Sequence, residues 1–514
     1  MPAFLFPPIV LVTACICYYV RTQIKRPQLP LPPGPKKSPF LGNLFDMPTS
    51  SEWEVYDRWC REYDTDIIHL DVAGTSIVVL NTVEAATELL DNRSAIYSSR
   101  PRMTMVNELM GWDFSFGLME YGNEWRAQRR LFQQEFNPTA AERYRPCELK
   151  ATHELLRRLL DDPNKFIAHI RHLAGSTILS IAYGLEVRPE NDPYVLAAEA
   201  GLCSLAKAAV PGAFLVDSIP LLKYIPDWFP GATFKRKANK WRQYSKIMRE
   251  MPFEAAKRRI AEGTAVPSYT SYSLEKLDQA RDAAEEENRI QSTAATMYTG
   301  GTDSTVSVLC TFILAMLANP EAQRKGQEEI EAVLGPGELP RFADEDSLPF
   351  VSAVVKEVLR WKNVTPMGIP HALTAEDVYQ GYTVPSGSIV IPNIWAMLHD
   401  ETVYPEPHSF MPERFIKEGK LNPDIRDPDT VLFGFGRRIC PARHMAYSSI
   451  WIAIASMLAV FDITKATDEF GKIIEPTYAY APALACVPLP FKCSLKPRNV
   501  VTEASIRATA NVGV

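Results

Sequence analysis

The chain has no Cys-x-x-Cys pair, no excess of basic residues and no internal repeat. Its nine cysteines, at 15, 17, 60, 147, 203, 310, 440, 486 and 493, are odd in number and scattered. That spacing makes neither a disulfide framework nor a zinc site, and it fits a reducing compartment. A net charge of −6 and a pI near 5.9 exclude nucleic acid as the expected partner, since proteins that bind phosphate backbones are usually basic. The absence of a repeat period excludes solenoids and propellers. What remains is 514 residues, 46% of them hydrophobic, enough for a sizeable core. Length alone would suggest about three domains. The motifs below must converge on one site, however, and that points to one large catalytic domain.

Charge is also missing from Ala3 to Val20, where Thr13 is the one polar interruption, and Arg21, Lys25 and Arg26 follow. An apolar run of about 20 residues spans a bilayer, and a slightly shorter one suits a thin reticulum membrane. A cleaved signal peptide would want a basic start and a small-residue cleavage site, and Tyr18-Tyr19-Val20-Arg21 offers none. Positive charge on the C-terminal side alone leaves the rest of the chain in the cytosol. The expectation is an uncleaved, single-pass transmembrane anchor over 1–20 in the endoplasmic reticulum membrane, with Pro7-Pro8 weakening its outer end. Pro27 to Pro35 is too rich in proline for a helix and makes a stiff extended spacer. It forms part of a basic, proline-rich hinge over 21–35. The catalytic domain is expected over 36–498, and the polar, weakly patterned segment 499–514 as a disordered tail.

Residues 66–80 read as a β-hairpin turning at Ala73-Gly74, and a second strand-rich patch runs from Val378 to Ile391. Helical periodicity covers 140–186, 235–260, 285–318, 320–334 and 444–461. The fold class is therefore mainly α with a small β-rich lobe.

Near the C-terminus stands Phe433-Gly434-Phe435-Gly436-Arg437-Arg438-Ile439-Cys440-Pro441-Ala442. Glycines let the backbone approach a flat cofactor closely, and Pro441 suits the first position of a helix beginning after the cysteine. Arginines and a helix N-terminus stabilise a thiolate, which is the metal-binding form of cysteine. An ordinary buried cysteine is the commoner fate of a lone Cys, but the joint pattern argues against it. Upstream, Gly300-Gly301-Thr302-Asp303-Ser304-Thr305 interrupts the long helix of 285–318. Two mid-helix glycines cost about 1 kcal/mol each against alanine, so they call for a reason. Small residues let a ligand lie against the helix, and an acid beside an alcohol offers a proton path into a greasy pocket. In isolation, a packing glycine pair with a solvated acid would be the better account. Glu357 and Arg360 stand three apart on a helix over about 351–361 and so share a face. Most such pairs are surface pairs of little energetic worth. Trp125 and Arg129 lie one helical turn apart.

The cysteine segment resembles the haem-binding signature of the cytochrome P450 family, Phe-x-x-Gly-x-Arg-x-Cys-x-Gly, with Ala442 in place of the last glycine. Gly301 to Thr305 resembles the family's oxygen-activation motif, with Ser304 where threonine is usual. The resemblance covers essentially the whole chain. In Met105 to Trp112 and Trp228 to Ala232 it resembles fungal secondary-metabolism members of the tryptamine 4-monooxygenase-like type. It implies a P450 fold carrying haem b, with Cys440 as the sole protein ligand to iron. By the same resemblance Trp125, Arg129, Arg438 and His371 hold the haem propionates. Arg414 would join Glu357 and Arg360 in a buried network that locks the cysteine loop. Asp303 and Ser304 would deliver protons during insertion of one oxygen atom from O2 into an apolar small molecule. NADPH would supply the electrons through NADPH–cytochrome P450 reductase, which would be steered to a basic face of Arg126, Arg130, Arg437 and Arg443. Arg102 to Gly117 and Ala294 to Ser304 are expected to line the substrate pocket. Two alternatives stay open: a haem-thiolate isomerase or dehydratase that needs no reductase, and a non-catalytic membrane-tethered haem-binding protein.

Overall fold

Period-two alternation in the first hairpin sorts its side chains onto two faces. Ile67, Val78 and Leu80 face one hydrophobic cluster, and Ile68, Leu70, Ile77 and Val79 face another. The hairpin is β1 (Ile67–Val72) and β2 (Thr75–Leu80), antiparallel, with Ile67 opposite Leu80. The computed structural model describes residues 29–210, 212–277, 282–481 and 485–510. The anchor expected over 1–20 and the first part of the hinge lie outside the described residues.

The β lobe is completed by β3 (His371–Ala372), β4 (Asp377–Tyr379), β5 (Tyr382–Val384) and β6 (Ile389–Pro392). Its main sheet has the order β1-β2-β6-β3, with β2 and β6 parallel, and β4 pairs with β5 alone. The described part of the hinge runs extended along this lobe. Pro33 O accepts from His69 N at 2.8 Å and Pro30 O from Thr383 N at 2.8 Å. The folded domain thus begins before residue 36.

The principal long helices are α1 (Glu52–Glu62), α2 (Asn123–Phe136), α3 (Arg145–Asp161), α4 (Phe166–Tyr183), α5 (Pro193–Ala208), α6 (Thr233–Ala261), α7 (Ala283–Gly301), α8 (Asp303–Ala318), α9 (Pro320–Leu334), α10 (Pro349–Trp361), α11 (Arg443–Val460) and α12 (Val500–Ala508). A helix that is apolar all round belongs in a core. Val306–Leu317 of α8 and Ser449–Val460 of α11 are continuously buried, and both helices join α3 and α10 in the largest cluster. Residues 283–318 are long and apolar enough to cross a membrane, but 78% of their most apolar window is buried in the protein. They are its central helix.

Two expectations are corrected. The single helical stretch over 140–186 breaks at Asp162–Lys165, where Pro163 starts a 3-10 turn between α3 and α4. The tail is not disordered over 500–508. Asn499 Oδ1 accepts from Val501 N and Thr502 N, starting α12, and Ile506 is fully buried in the main core. A final two-stranded sheet pairs β7 (Phe461–Lys465) with β8 (Cys493–Pro497).

Candidate active site

The cysteine loop is held by its own backbone. Cys440 N donates to Phe433 O at 2.8 Å, and Gly434 and Gly436 both take positive φ, +79° and +57°. A Cβ at Gly436 would sit 2.0 Å from Leu90 O, so this glycine serves close packing on the segment 87–92. Gly434, by contrast, faces open space. Helix α11 begins at Arg443, two residues later than the expected start, so Pro441 precedes the helix. Ala442 has φ −97°, a conformation any residue adopts, and the missing signature glycine costs the loop nothing. Burial pushes the Cys440 thiol up, opposed by the Ala442 N–H and the charges of Arg129 and Arg443. The residue nonetheless keeps accessible surface.

Around this loop three guanidinium groups converge without a carboxylate. Arg438 donates to the carbonyls of Ser98 (2.7 Å), Phe116 (2.9 Å) and Met119 (2.7 Å), and stacks 4.6 Å over the Trp125 ring. Arg100, which sequence reasoning missed, donates to Gly117, Ile369 and Pro370 carbonyls. Arg129, on α2, makes no hydrogen bond or ion pair among the described residues, and it borders Cys440 electrostatically. Burial lowers Arg100 to about 9 and Arg129 to about 10. Burial, reinforced by the charges of Arg100 and Arg129, takes Arg438 down to about 8. The indole Nε1 of Trp125 is buried with no partner. His371 sits in the same group. Its Nδ1 lies 2.8 Å from Tyr97 O, so that nitrogen carries the proton, and burial beside Arg100 and Arg438 holds the ring neutral. Nothing in the sequence around Arg100 marks it; only the fold brings it beside Arg438.

Across the interior, α7 ends at Gly301 and α8 begins at Asp303, with Thr302 at the break. Hydroxyls stitch the break: Thr302, Ser304 and Thr305 donate to the carbonyls of Tyr298 (2.8 Å), Gly300 (2.8 Å) and Gly301 (3.0 Å). The two glycines differ in role. A Cβ at Gly301 would press on Ile178 of α4 at 3.2 Å, whereas one at Gly300 would meet nothing within 4 Å. Gly300 stays exposed although the preceding turns of α7 are buried, so it opens onto space at the centre of the helix. Asp303 reaches away toward α4 and pairs with Arg171 at 3.3 Å.

Glu357 of α10 is fully buried and forms two bonds with Arg360, at 2.7 and 2.8 Å, while Arg414 Nε lies 3.3 Å from it. The two arginines spend their remaining donors on carbonyls of Leu398, Pro405, Glu406, Pro407 and Ser409. The expected triad therefore assembles. It fastens the segment 398–411, however, and makes no direct bond to the cysteine loop.

Residues 32–493 match the family model for cytochrome P450. The chain is 48% identical over 506 residues to cytochrome P450 monooxygenase 98 of Postia placenta, covering 98% of this chain and 97% of that one. It is 47% identical to cytochrome P450 monooxygenase ple1 of Rhodocybe pseudopiperita, covering 98% and 96%. Identity to the tryptamine 4-monooxygenase of Psilocybe cyanescens is 43%, covering 94% and 96%. The chain is a cytochrome P450.

Membership makes it a haem monooxygenase, and the site can be tested for fit to that group. Haem brings propionate carboxylates and an iron that takes a thiolate. Guanidinium groups without a carboxylate, one buried and two half-buried, and an orphaned indole N–H are what a bound carboxylate would satisfy. Cys440 is only partly covered, and Gly300 leaves bare backbone uncovered on the central helix. The residues fit a P450 haem.

Proposed function

We propose that this P450 inserts one oxygen atom from O2 into an apolar small organic molecule, with electrons from NADPH delivered by a reductase. The carrying observation is the buried Arg100 together with the half-buried Arg129 and Arg438, gathered without a carboxylate beside the Cys440 loop. Cys440 would hold the haem iron through its thiolate. Arg129, Arg438, Arg100 and the Trp125 N–H would hold the propionates, and His371 would take a second proton when a carboxylate lies beside it. Haem, when bound, would supply the oxygen-activating redox chemistry, which a thiolate ligand favours.

The chain's own part is binding, exclusion of water and movement of protons. Ser304 donates to Gly300 O and so keeps lone pairs free to accept from a water or from Asp303. Asp303 is a third exposed and reaches solvent beside Arg171, which lets it take up protons and hand them to a water that Ser304 would hold as an acceptor. The apolar residues Met105, Trp112, Phe114, Phe116 and Ala294 share one cluster with Trp125, which supports an apolar substrate between Arg102–Gly117 and Ala294–Ser304. The relatives' fungal origin supports a role in secondary metabolism or xenobiotic oxidation.

A membrane-bound state is part of the reading. Besides the apolar N-terminal run, the segment from Leu215 to Phe229 exposes Leu215 (70%), Leu221 (75%) and Trp228 (81%). Large apolar side chains exposed together in one segment suit a surface that meets a membrane. We place the chain as a single-pass protein of the endoplasmic reticulum with its catalytic domain in the cytosol. The exposed Arg126, Arg130 and Arg437 offer an acidic electron donor a basic face. The deciding experiment combines recombinant chain, reductase and NADPH. Wild-type protein should show the thiolate-ligated CO spectrum when reduced, and Cys440→Ala should abolish it. NADPH consumption and a product of added mass from a substrate library are expected. Haem binding without NADPH oxidation across a broad panel would favour a non-catalytic haem protein, and turnover without reductase an isomerase or dehydratase.

A further inference from the structure

The first turns of α6 carry an unusual concentration of one charge. Between Thr233 and Arg249 stand Lys235, Arg236, Lys237, Lys240, Arg242, Lys246 and Arg249, with no acidic residue, in a chain whose net charge is −6. Some of these cations are used internally. Lys235 pairs with Asp227 at 3.0 Å and donates to Ile225 O at 2.7 Å, fixing the helix start to the loop before it. Arg249 donates to Asn288 and Ser292, Lys246 lies 3.9 Å from Glu250, and Arg242 packs beside Gly111. Arg236, Lys237 and Lys240 are exposed and have no carboxylate partner among the described residues. Arg236, Lys240 and the exposed Ile247 recur at helical spacing on the outward stripe, opposite the buried Ala238, Ser245 and Met248.

A solvated helix face would account for such charges if they stood alone. They follow directly after the exposed apolar segment that ends in Trp228 and Phe229. Apolar side chains flanked by lysine and arginine are the composition of a surface that seats in the headgroup region of a bilayer, and cations there draw anionic lipid. We infer that the start of α6 is a docking surface for anionic phospholipid headgroups, which selects acidic membrane patches and seats Leu215–Phe229 in them. This rests on the membrane reading above. Because the chain would already be tethered, docking is an intramolecular equilibrium between a seated and a lifted domain, and modest charge terms move it.

The test uses full-length, haem-loaded chain in bilayer discs of phosphatidylcholine, alone or mixed with phosphatidylserine. Lipids with brominated acyl chains quench tryptophan, and the difference between wild type and Trp228→Phe isolates Trp228. Anionic discs should raise Trp228 quenching, each cation shifting the seated-to-lifted ratio by about fivefold. Added salt should reverse the rise, and a triple Arg236→Gln, Lys237→Gln, Lys240→Gln variant should lack it. Equal quenching in both disc types for both proteins would overturn the lipid selectivity while leaving membrane seating intact. No quenching of Trp228 in either disc would remove the membrane seating of this segment, and the inference with it. A triple variant that keeps its lipid response but loses affinity for the reductase would reassign the face to an acidic protein and overturn the proposal.

Discussion

Ser304 is bonded through its hydroxyl proton to the Gly300 carbonyl, so in the proposed proton path it would serve as an acceptor held at one place. Removing that oxygen leaves the helix break stitched by Thr302 and Thr305. Ser304→Ala should therefore keep haem and fold but release several-fold more peroxide per NADPH, measured by peroxide and product yields. Unchanged coupling would remove Ser304 from the proton path. Arg129 allows a cleaner separation than Arg438. Arg438 holds three carbonyls, and losing it would disturb the protein itself. Arg129 has no such duty. A charge-assisted bond contributes about 1.5–3 kcal/mol, so Arg129→Gln should speed haem loss roughly ten- to hundredfold at that energy. Melting of the haem-free chain should stay unchanged. An equal loss of haem-free stability would make Arg129 a structural residue.

Among elements, those with long 3.6-residue periodicity and firm punctuation were legible. Pro320 opens α9 at its first residue, and Gly300-Gly301 marks the α7–α8 break within one position. The cysteine loop was legible because several residue types recur at fixed spacing. Arg100 and Arg171 were not, since each is a lone arginine whose partner comes from a distant element. The α12 helix was hidden for a related reason: an Asn499–Thr502 capping box and one buried Ile506 are faint local signals, and tertiary contact supplies the rest. The Glu357 triad was legible in membership but not in reach, because its partners are backbone carbonyls that no side-chain pattern reveals. Those carbonyls raise the stakes of the carboxylate. Glu357→Gln would leave two buried guanidinium groups uncompensated, at a cost of about 3–5 kcal/mol. The expected result is a lower unfolding midpoint and poor haem retention, read by denaturation and absorbance. A midpoint within error of wild type would show that the pair is solvated after all.

For the whole molecule, pH acts through a carboxyl at the contact between α3 and α11. Glu148 of α3 is 2% exposed at the contact with α11. It accepts from Ser448 at 2.7 Å through one oxygen and has no partner for the other. Burial raises its pKa from 4.5 to about 7, with Ser448, Ser449 and Arg145 opposing. Because the folded value is the higher one, the native state binds the extra proton, and the sign follows. The stability linked to Glu148 is full below about pH 4.5 and is lost as pH rises through about 7. At 1.36 kcal/mol for each pH unit, the loss above pH 7 is about 3 kcal/mol. Glutamine preserves the acceptor for Ser448 and cannot ionise. Glu148→Gln should therefore raise the thermal midpoint of the haem-loaded protein at pH 8 and leave it near wild type at pH 5. An identical difference at both pH values would mean that the buried carboxyl does not titrate in this range, and that the α3–α11 contact is indifferent to its charge.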